Sequence, residues 1–330
     1  MTYTKTVSLP VSPDDAFALV TEPERLRRWM AVTARVDLRA GGAWRWTVTP
    51  GNVAGGTVRE VEPGRRVVLD WGWDLMPGAE GALGTVTVTV EPAGAGSTVT
   101  LVHEGLDVEQ EASHAEGWDH FLGRLEVAAA TGDAGPDDWA AAPDPIDELV
   151  AAEAALAVLQ QVLRQVRPDD GDRATPCSEF TVDQLTEHLL DNLVGLGTMA
   201  EAELVRPEGA HPAGPGLEDA VAVLAAGVIE AWRRRGLAGM ARSPFGEAPA
   251  PVLAGIVAIE LLLHAWDYAQ ATGAVITASD ELVAYVSGLA ERVVPGARGR
   301  AFADETEAPG HADALTRLAA YSGRTPMVLV

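Results

Sequence analysis

The residues best suited to chemistry lie in the second half of the chain. Between Val252 and Trp266 an apolar run is interrupted by Glu260 and His264, and Leu253, Val257, Glu260, His264 and Asp267 follow at three- and four-residue steps. On a helix these side chains share one face. An ionised carboxylate and an imidazole buried on such a face cost several kcal/mol unless they are paired or bound to a cation. The i,i+4 spacing lets Glu260 and His264 reach one ion. His188, beside the apolar stripe Val182, Leu185, Leu189 and Leu196, can approach from a facing helix. Two imidazoles and a carboxylate with one position left open suit a catalytic-type divalent site. The other account of these residues is a buried Glu–His hydrogen bond with His188 packed elsewhere. Spacing alone leaves both open, because Glu-x-x-x-His arises often by chance in helices.

The first half offers aromatic and histidine candidates instead. Trp44 and Trp46 are in phase at a period of two, as are Trp71 and Trp73, and Trp118 sits on a later helical stretch. These tryptophans either line an aromatic ligand cavity or form ordinary sheet core. His103 is in phase with Val99 and Leu101 and faces inward, as a general acid or base or as a hydrogen-bonded structural residue. His114 and His120 lack a third ligand and read as surface or packing residues. Cys177 is the single cysteine, which excludes an intramolecular disulfide framework and a cysteine-based structural zinc site, and fits a reducing cytoplasm.

Composition narrows the partners. The formal charge is −24, and neither half has a basic face for phosphate backbones, so nucleic acid and anionic membranes are disfavoured. Lys5 is the only lysine among 24 basic residues, a skew expected of a GC-rich genome such as an actinomycete's. The N-terminus lacks the long apolar core of a secretory signal. The Val252–Trp266 run is short of the roughly 20 apolar residues a membrane span needs, so it reads as a buried helix and the protein as cytoplasmic. A small-molecule ligand is the partner class left by these exclusions, with the oligomeric state left open.

Positioning these residues takes two domains, the usual outcome for 330 residues. Ser12-Pro13-Asp14-Asp15 is a helix start, and Thr21-Glu22-Pro23-Glu24 repeats it, so two short helices follow an opening strand, Thr4 to Leu9. From Val32 to Glu104 the period is two, broken by glycine and proline turns, as in an antiparallel meander. A closing helix runs from roughly Ser113 to Ala129. Residues 132–144 combine Gly, Pro, Ala and acid without periodicity and read as a linker between domains at 1–131 and 145–330. Asp144 to Asp147 then opens a helix. Further helical stretches are expected near 182–204, 217–235, 251–271, 279–294 and 311–321, packed as an antiparallel bundle. Thr181 and Gln184 form a capping box there, with Phe180 stapled onto Leu185.

Two resemblances sharpen this reading. Thr21 to Trp29, Gly41-Gly-Ala-Trp44, Gly56 to Pro63, Ser97 to Glu104 and Gly117-Trp118, in this order, resemble the helix-grip (START-like, SRPBCC) superfamily and its branch named after activators of the Hsp90 ATPase. That resemblance implies an α+β domain whose curved antiparallel sheet and long C-terminal helix enclose a cavity. Thr175 to Leu189, Glu260 to Gly273 and Arg317 to Pro326 are similar to the all-α DinB-like bundle of mycothiol-dependent maleylpyruvate isomerases. This second resemblance implies His188, Glu260 and His264 as ligands of a divalent metal, with zinc expected, and mycothiol as co-substrate. Asp267 would orient a ligand or a helix end. The isomerases carry a different extra domain after the bundle, so their substrate is not carried over. Two functions follow: a thiol-dependent transferase or isomerase acting on a small hydrophobic electrophile, or a non-catalytic small-molecule-binding or chaperone-accessory protein with a structural metal.

Overall fold

Segments with a two-residue period become strands β1 (Thr2–Leu9), β2 (Thr33–Val36), β3 (Ala43–Thr49), β4 (Asn52–Glu62), β5 (Arg66–Trp73), β6 (Gly84–Ala93) and β7 (Gly96–Glu104). They form a seven-stranded antiparallel sheet, ordered β1-β7-β6-β5-β4-β3-β2, in the computed structural model, which describes residues 1–73, 84–141, 143–177, 179–207 and 216–327. Sequential strands pair throughout except that β1 closes against β7, with Val7 opposite Val99. Register shifts between Thr47 and Thr49 and between Val58 and Glu60 mark bulges, which bend a sheet and increase its twist. At Gly56 only glycine fits, since a Cβ there would lie 2.1 Å from the Asp70 carbonyl oxygen of the neighbouring strand.

The described residues form two compact units, Met1–Asp137 and Asp138–Val330. In the first, helix α1 (Pro13–Thr21) is capped by Ser12, whose side chain accepts from the Asp15 backbone N–H, and α2 (Pro23–Leu26) follows. Helix α3 (Val108–Thr131) starts earlier than its apolar pattern suggested, because Asp107 and Gln110 build a reciprocal capping box ahead of it. It buries Trp118, Phe121, Leu122, Leu125 and Ala128 in the same core as Val86, Val88, Val99 and Leu101. Residues 133–137 are less free than a linker. The Ala134 N–H donates to the Arg28 carbonyl at 2.9 Å, and Arg124 donates to the carbonyls of Gly135 and Pro136 at 2.7 and 3.0 Å. Helix α4 (Asp138–Ala141) then opens the second unit inside the segment expected to be featureless.

The tryptophans pack against one another in the core of the first unit. The ring of Trp71 lies 5.2 Å from Trp44, 5.9 Å from Trp46, 5.6 Å from Trp73, 5.0 Å from Trp118 and 5.8 Å from His103. Trp46 and Trp118 do line an apolar cavity, but it holds about 20 Å³, whereas Trp44, Trp71, Trp73 and His103 are not among its walls. Pockets for drug-sized ligands run to roughly 300–1,000 Å³. The period of two correctly put these rings on one face, and the rings themselves fill the space. His103 is fully buried, its Nδ1 accepts from the Trp118 indole at 3.2 Å, and burial with His114 nearby lowers its pKa to about 3. It is therefore neutral at physiological pH, with its buried Nε2 left without a hydrogen-bond partner. His114 donates from Nδ1 to the Gln110 carbonyl and accepts from the Trp73 indole, while His120 meets Asp137 at 2.9 Å.

In the second unit, helices α5 (Glu148–Leu163), α6 (Val182–Met199), α7 (Leu217–Arg235), α8 (Ala250–Thr272), α9 (Asp280–Ala297) and α10 (Ala314–Tyr321) pack as a bundle. A short hairpin, β8 (Met240–Ser243) with β9 (Gly246–Pro249), intervenes where no strand was expected. Helix α5 begins at Glu148 because the Asp147 side chain accepts from the Leu149 and Val150 backbone N–H groups. Helices α5 and α8 are buried on nearly every side, and their few charges are neutralised locally. Buried Glu153 on α5 accepts from Arg233 on α7 at 2.6 Å, and Arg164 pairs with Glu218 at 3.2 Å. Helix α8 is long and apolar enough to cross a membrane, yet 83% of its most apolar window is buried inside the protein.

Replacing Trp71 by alanine should destabilise the first unit by about 3–5 kcal/mol, the usual cost of truncating a packed core aromatic. Denaturant unfolding followed by near-ultraviolet circular dichroism measures it. A loss below about 1 kcal/mol would mean that the ring faces open space.

Candidate metal centre

Helix α6 supplies the first candidate ligand. Thr181 and Gln184 cap it reciprocally, as the sequence pattern required, which starts the helix at Val182 and sets its register. Leu185, Leu189 and Leu193 face the core, and half-buried His188 projects beside that stripe. Phe180, expected to staple the helix end, stacks its ring on His188, with centroids 4.8 Å apart and planes inclined by 24°.

Helix α8 supplies the other two. Glu260, His264 and Asp267 occupy successive turns of one face, and the candidate donor atoms of His188, Glu260 and His264 all lie within 4.8 Å of one another. His264 donates from Nε2 to Glu260 Oε2 at 3.1 Å and from Nδ1 to Asp267 Oδ2 at 3.0 Å. Asp267, fully buried, is gripped in turn by Arg324 Nε, at 2.9 and 3.0 Å from its two oxygens. Arg324 also donates to Ser322 Oγ at 3.0 Å. The chain Arg324–Asp267–His264 fixes the orientation of the imidazole and, when Nδ1 carries the proton, leaves Nε2 as the donor atom. A carboxylate behind a ligating histidine does this in metal sites generally. Of the second expectation, the Glu260–His264 hydrogen bond is present, but His188 stands beside it and is not packed elsewhere.

Charge follows the geometry. Burial alone pushes the Glu260 carboxyl up, but the hydrogen bond from His264 and the nearby positive groups override it and bring it to about 2. For His264, burial lowers the pKa, while Asp267 and Glu260 together raise it to about 9. His188 is lowered by its burial and by His264. Cys177 is raised to about 11, chiefly by burial and then by Asp267, so its thiol stays protonated at neutral pH. Tyr268 occupies the same helix, fully buried, with its hydroxyl 2.8 Å from Thr186 Oγ1.

The donor set fits a divalent cation. Tetrahedral bonds of about 2.1 Å separate ligand atoms by about 3.4 Å, so a modest inward movement of the His188 side chain would complete a three-ligand site. Asn192, Phe180, Arg324 and Ser322 are the members that sequence reasoning did not assign. Asn192 was accessible in principle, one turn after His188 on the same helix face. The others come from segments whose approach depends on the tertiary fold.

Residues 10–130 match the family described as activator of Hsp90 ATPase homolog 1-like protein. They form an AHSA1-like domain of the helix-grip type. Two relatives from Mycobacterium tuberculosis, the uncharacterized proteins Rv0738 of strain H37Rv and MT0763 of strain CDC 1551, are each 33% identical over 186 residues, covering 54% of this chain and 99% of each relative. The chain belongs to their family. That alignment takes in about 178 of the 330 residues, more than the first unit contains, so the kinship with Rv0738 extends into the second unit. Among solved structures, the AHSA1-like protein from Rhizobium etli is 38% identical, with 42% of this chain and 88% of that chain covered and a TM-score of 0.35. CalU16 from Micromonospora echinospora is 23% identical, with 40% and 77% covered and a TM-score of 0.34.

The pKa shifts set the pH behaviour of the ion-free centre. His264 is raised, so its contribution to stability is complete below about 6.5 and is lost as pH climbs through about 9. Glu260 is lowered, so its contribution is complete above about 4.5 and is lost as pH falls through about 2. A cation needs the His264 Nε2 lone pair and must displace its proton, so apparent zinc affinity should weaken about tenfold per pH unit below 9. Chelator competition at pH 8 and pH 6 should differ by about 100-fold. Equal affinity at both would mean that His264 does not bind the ion.

Proposed function

We propose that the second unit is a DinB-like, divalent-metal-binding bundle, with zinc the expected ion held by His188, Glu260 and His264. We further read the protein as a low-molecular-weight-thiol-dependent transferase or isomerase, with mycothiol the expected co-substrate and a small hydrophobic electrophile as its target. The observation that carries this reading is the convergence of three donor atoms from two helices within 4.8 Å, with no fourth His, Cys, Asp or Glu in the group among the described residues. A bound cation would supply positive charge beside which a thiol is held as its thiolate.

The surrounding residues suit that task. Arg324 and Asp267 hold His264 in place from behind, so its ring needs little reorientation to accept an ion. Phe180 covers one face of His188 and gives the ligand a rigid apolar backing. The protein's own thiol, Cys177, is kept protonated by burial, which leaves the nucleophile to be brought in from solution.

The second reading is a non-catalytic small-molecule-binding or chaperone-accessory protein with a structural metal. The AHSA1-like match over residues 10–130 favours it, since that family takes its name from a chaperone activator.

Elemental analysis of the purified protein and of His188→Ala separates the outcomes. The wild type should hold zinc and consume electrophiles only when thiol is supplied, while H188A should lose most of both. Full metal retention in H188A would remove His188 from the site. Full loading without thiol turnover would leave the binding-protein reading.

A further inference from the structure

Asn192 lies one turn beyond His188 on α6, half-buried at the centre. Its Nδ2 donates both to His188 Nε2 at 3.1 Å and to Glu260 Oε2 at 3.2 Å. Those are the lone pairs through which these two residues would hold an ion, and a single amide nitrogen spans both. Glu260 Oε2 thereby accepts two N–H groups, one from Asn192 and one from His264. In the ion-free protein these two N–H groups take up the acceptor capacity that a cation would otherwise satisfy. When a cation is bound, it takes the one lone pair of His188 Nε2, and an Asn192 N–H still aimed there loses that acceptor and faces like charge.

Rotating a carboxamide about its last torsion exchanges nitrogen for oxygen at nearly the same place. That turn is unfavourable in the ion-free protein, because it would set the amide oxygen against the Nε2 lone pair of His188 and against a carboxylate. With a cation between them it becomes favourable, because a carboxamide oxygen is a competent ligand for hard and borderline divalent ions.

We propose that Asn192 is a fourth residue of the metal centre, a two-way side chain whose nitrogen preorganises His188 and Glu260 and whose oxygen turns to the cation once it binds. This rests on the metal reading above. It adds a conformational step to ion uptake and a neutral ligand that leaves the net charge of the site unchanged.

Asn192→Ala and Asn192→Asp test it alongside wild type and His188→Ala, by zinc affinity in chelator competition and by the visible absorption of the cobalt-loaded protein. Alanine is a good helix former at this half-buried position, and circular dichroism in excess chelator checks that each variant is folded. N192A should bind zinc about 10–100-fold more weakly, as removing a residue that supports a metal ligand usually does, and should alter the cobalt bands. N192D should bind about tenfold more tightly, because the substituted carboxylate repels Glu260 in the ion-free protein and is relieved by the cation. A merely structural Asn192 predicts that both variants weaken binding and that neither changes the cobalt spectrum, and that result would overturn the proposal. If N192A matches wild type while H188A fails to bind, Asn192 is excluded and the metal reading stands. If wild type itself takes up neither zinc nor cobalt, both fall together.

Discussion

Three charged side chains, Glu260, Asp267 and Arg324, and an imidazole, His264, meet in the interior of a bundle whose central helix is otherwise apolar. Removing such groups from water costs far more than any one hydrogen bond returns, so they persist only as a mutually satisfied set. Arg324 neutralises Asp267, Asp267 orients His264, and His264 meets Glu260. The net result is a carboxylate and two imidazoles at the partly open end of the chain, where Glu260 and His188 are less buried than Asp267. The Asp267 charge behind these three groups is thus already balanced by Arg324.

This arrangement separates two roles that α8 combines. Its apolar residues, buried on almost every side, hold the helix against α5, and the buried pairs Arg233–Glu153 and Arg164–Glu218 tie α7 to α5 without reaching the centre. The Glu260–His264–Asp267 face then projects from a rigid support toward α6, where the capping box at Thr181 fixes how far His188 reaches. Sites carried on packed helices are held more tightly than sites on loops. The AHSA1-like domain has a different character. Its interior is occupied by tryptophan rings, and its histidine 103 is kept neutral by burial.

Periodicity revealed the face of α8 and the capping of α6 because both are local properties of spacing and cap chemistry. It also placed the strands of the first unit and put Trp44, Trp46, Trp71 and Trp73 inward. It could not tell which rings border open space, since the same alternation serves a hollow interior and a filled one; Trp71 packs against its neighbours, while Trp46 and Trp118 border a small cavity. The contacts of Arg324 with Asp267 and of Phe180 with His188 were not legible in the sequence for another reason. Those contacts depend on which segments fold back onto α8 and α6, which local spacing does not give. Residues 133–137 misled through composition: glycine, proline and acid suggest a free tether, while the carbonyls of Gly135 and Pro136 are in fact held by Arg124.

The central claim, a cation held jointly by α6 and α8, is tested most directly by anomalous scattering at the zinc edge from crystals grown with zinc. The account predicts one strong peak about 2.0–2.2 Å from donor atoms of His188, Glu260 and His264 together. A map with no peak there, in which His264 keeps its proton between Glu260 and Asp267 and His188 stands apart, would contradict it.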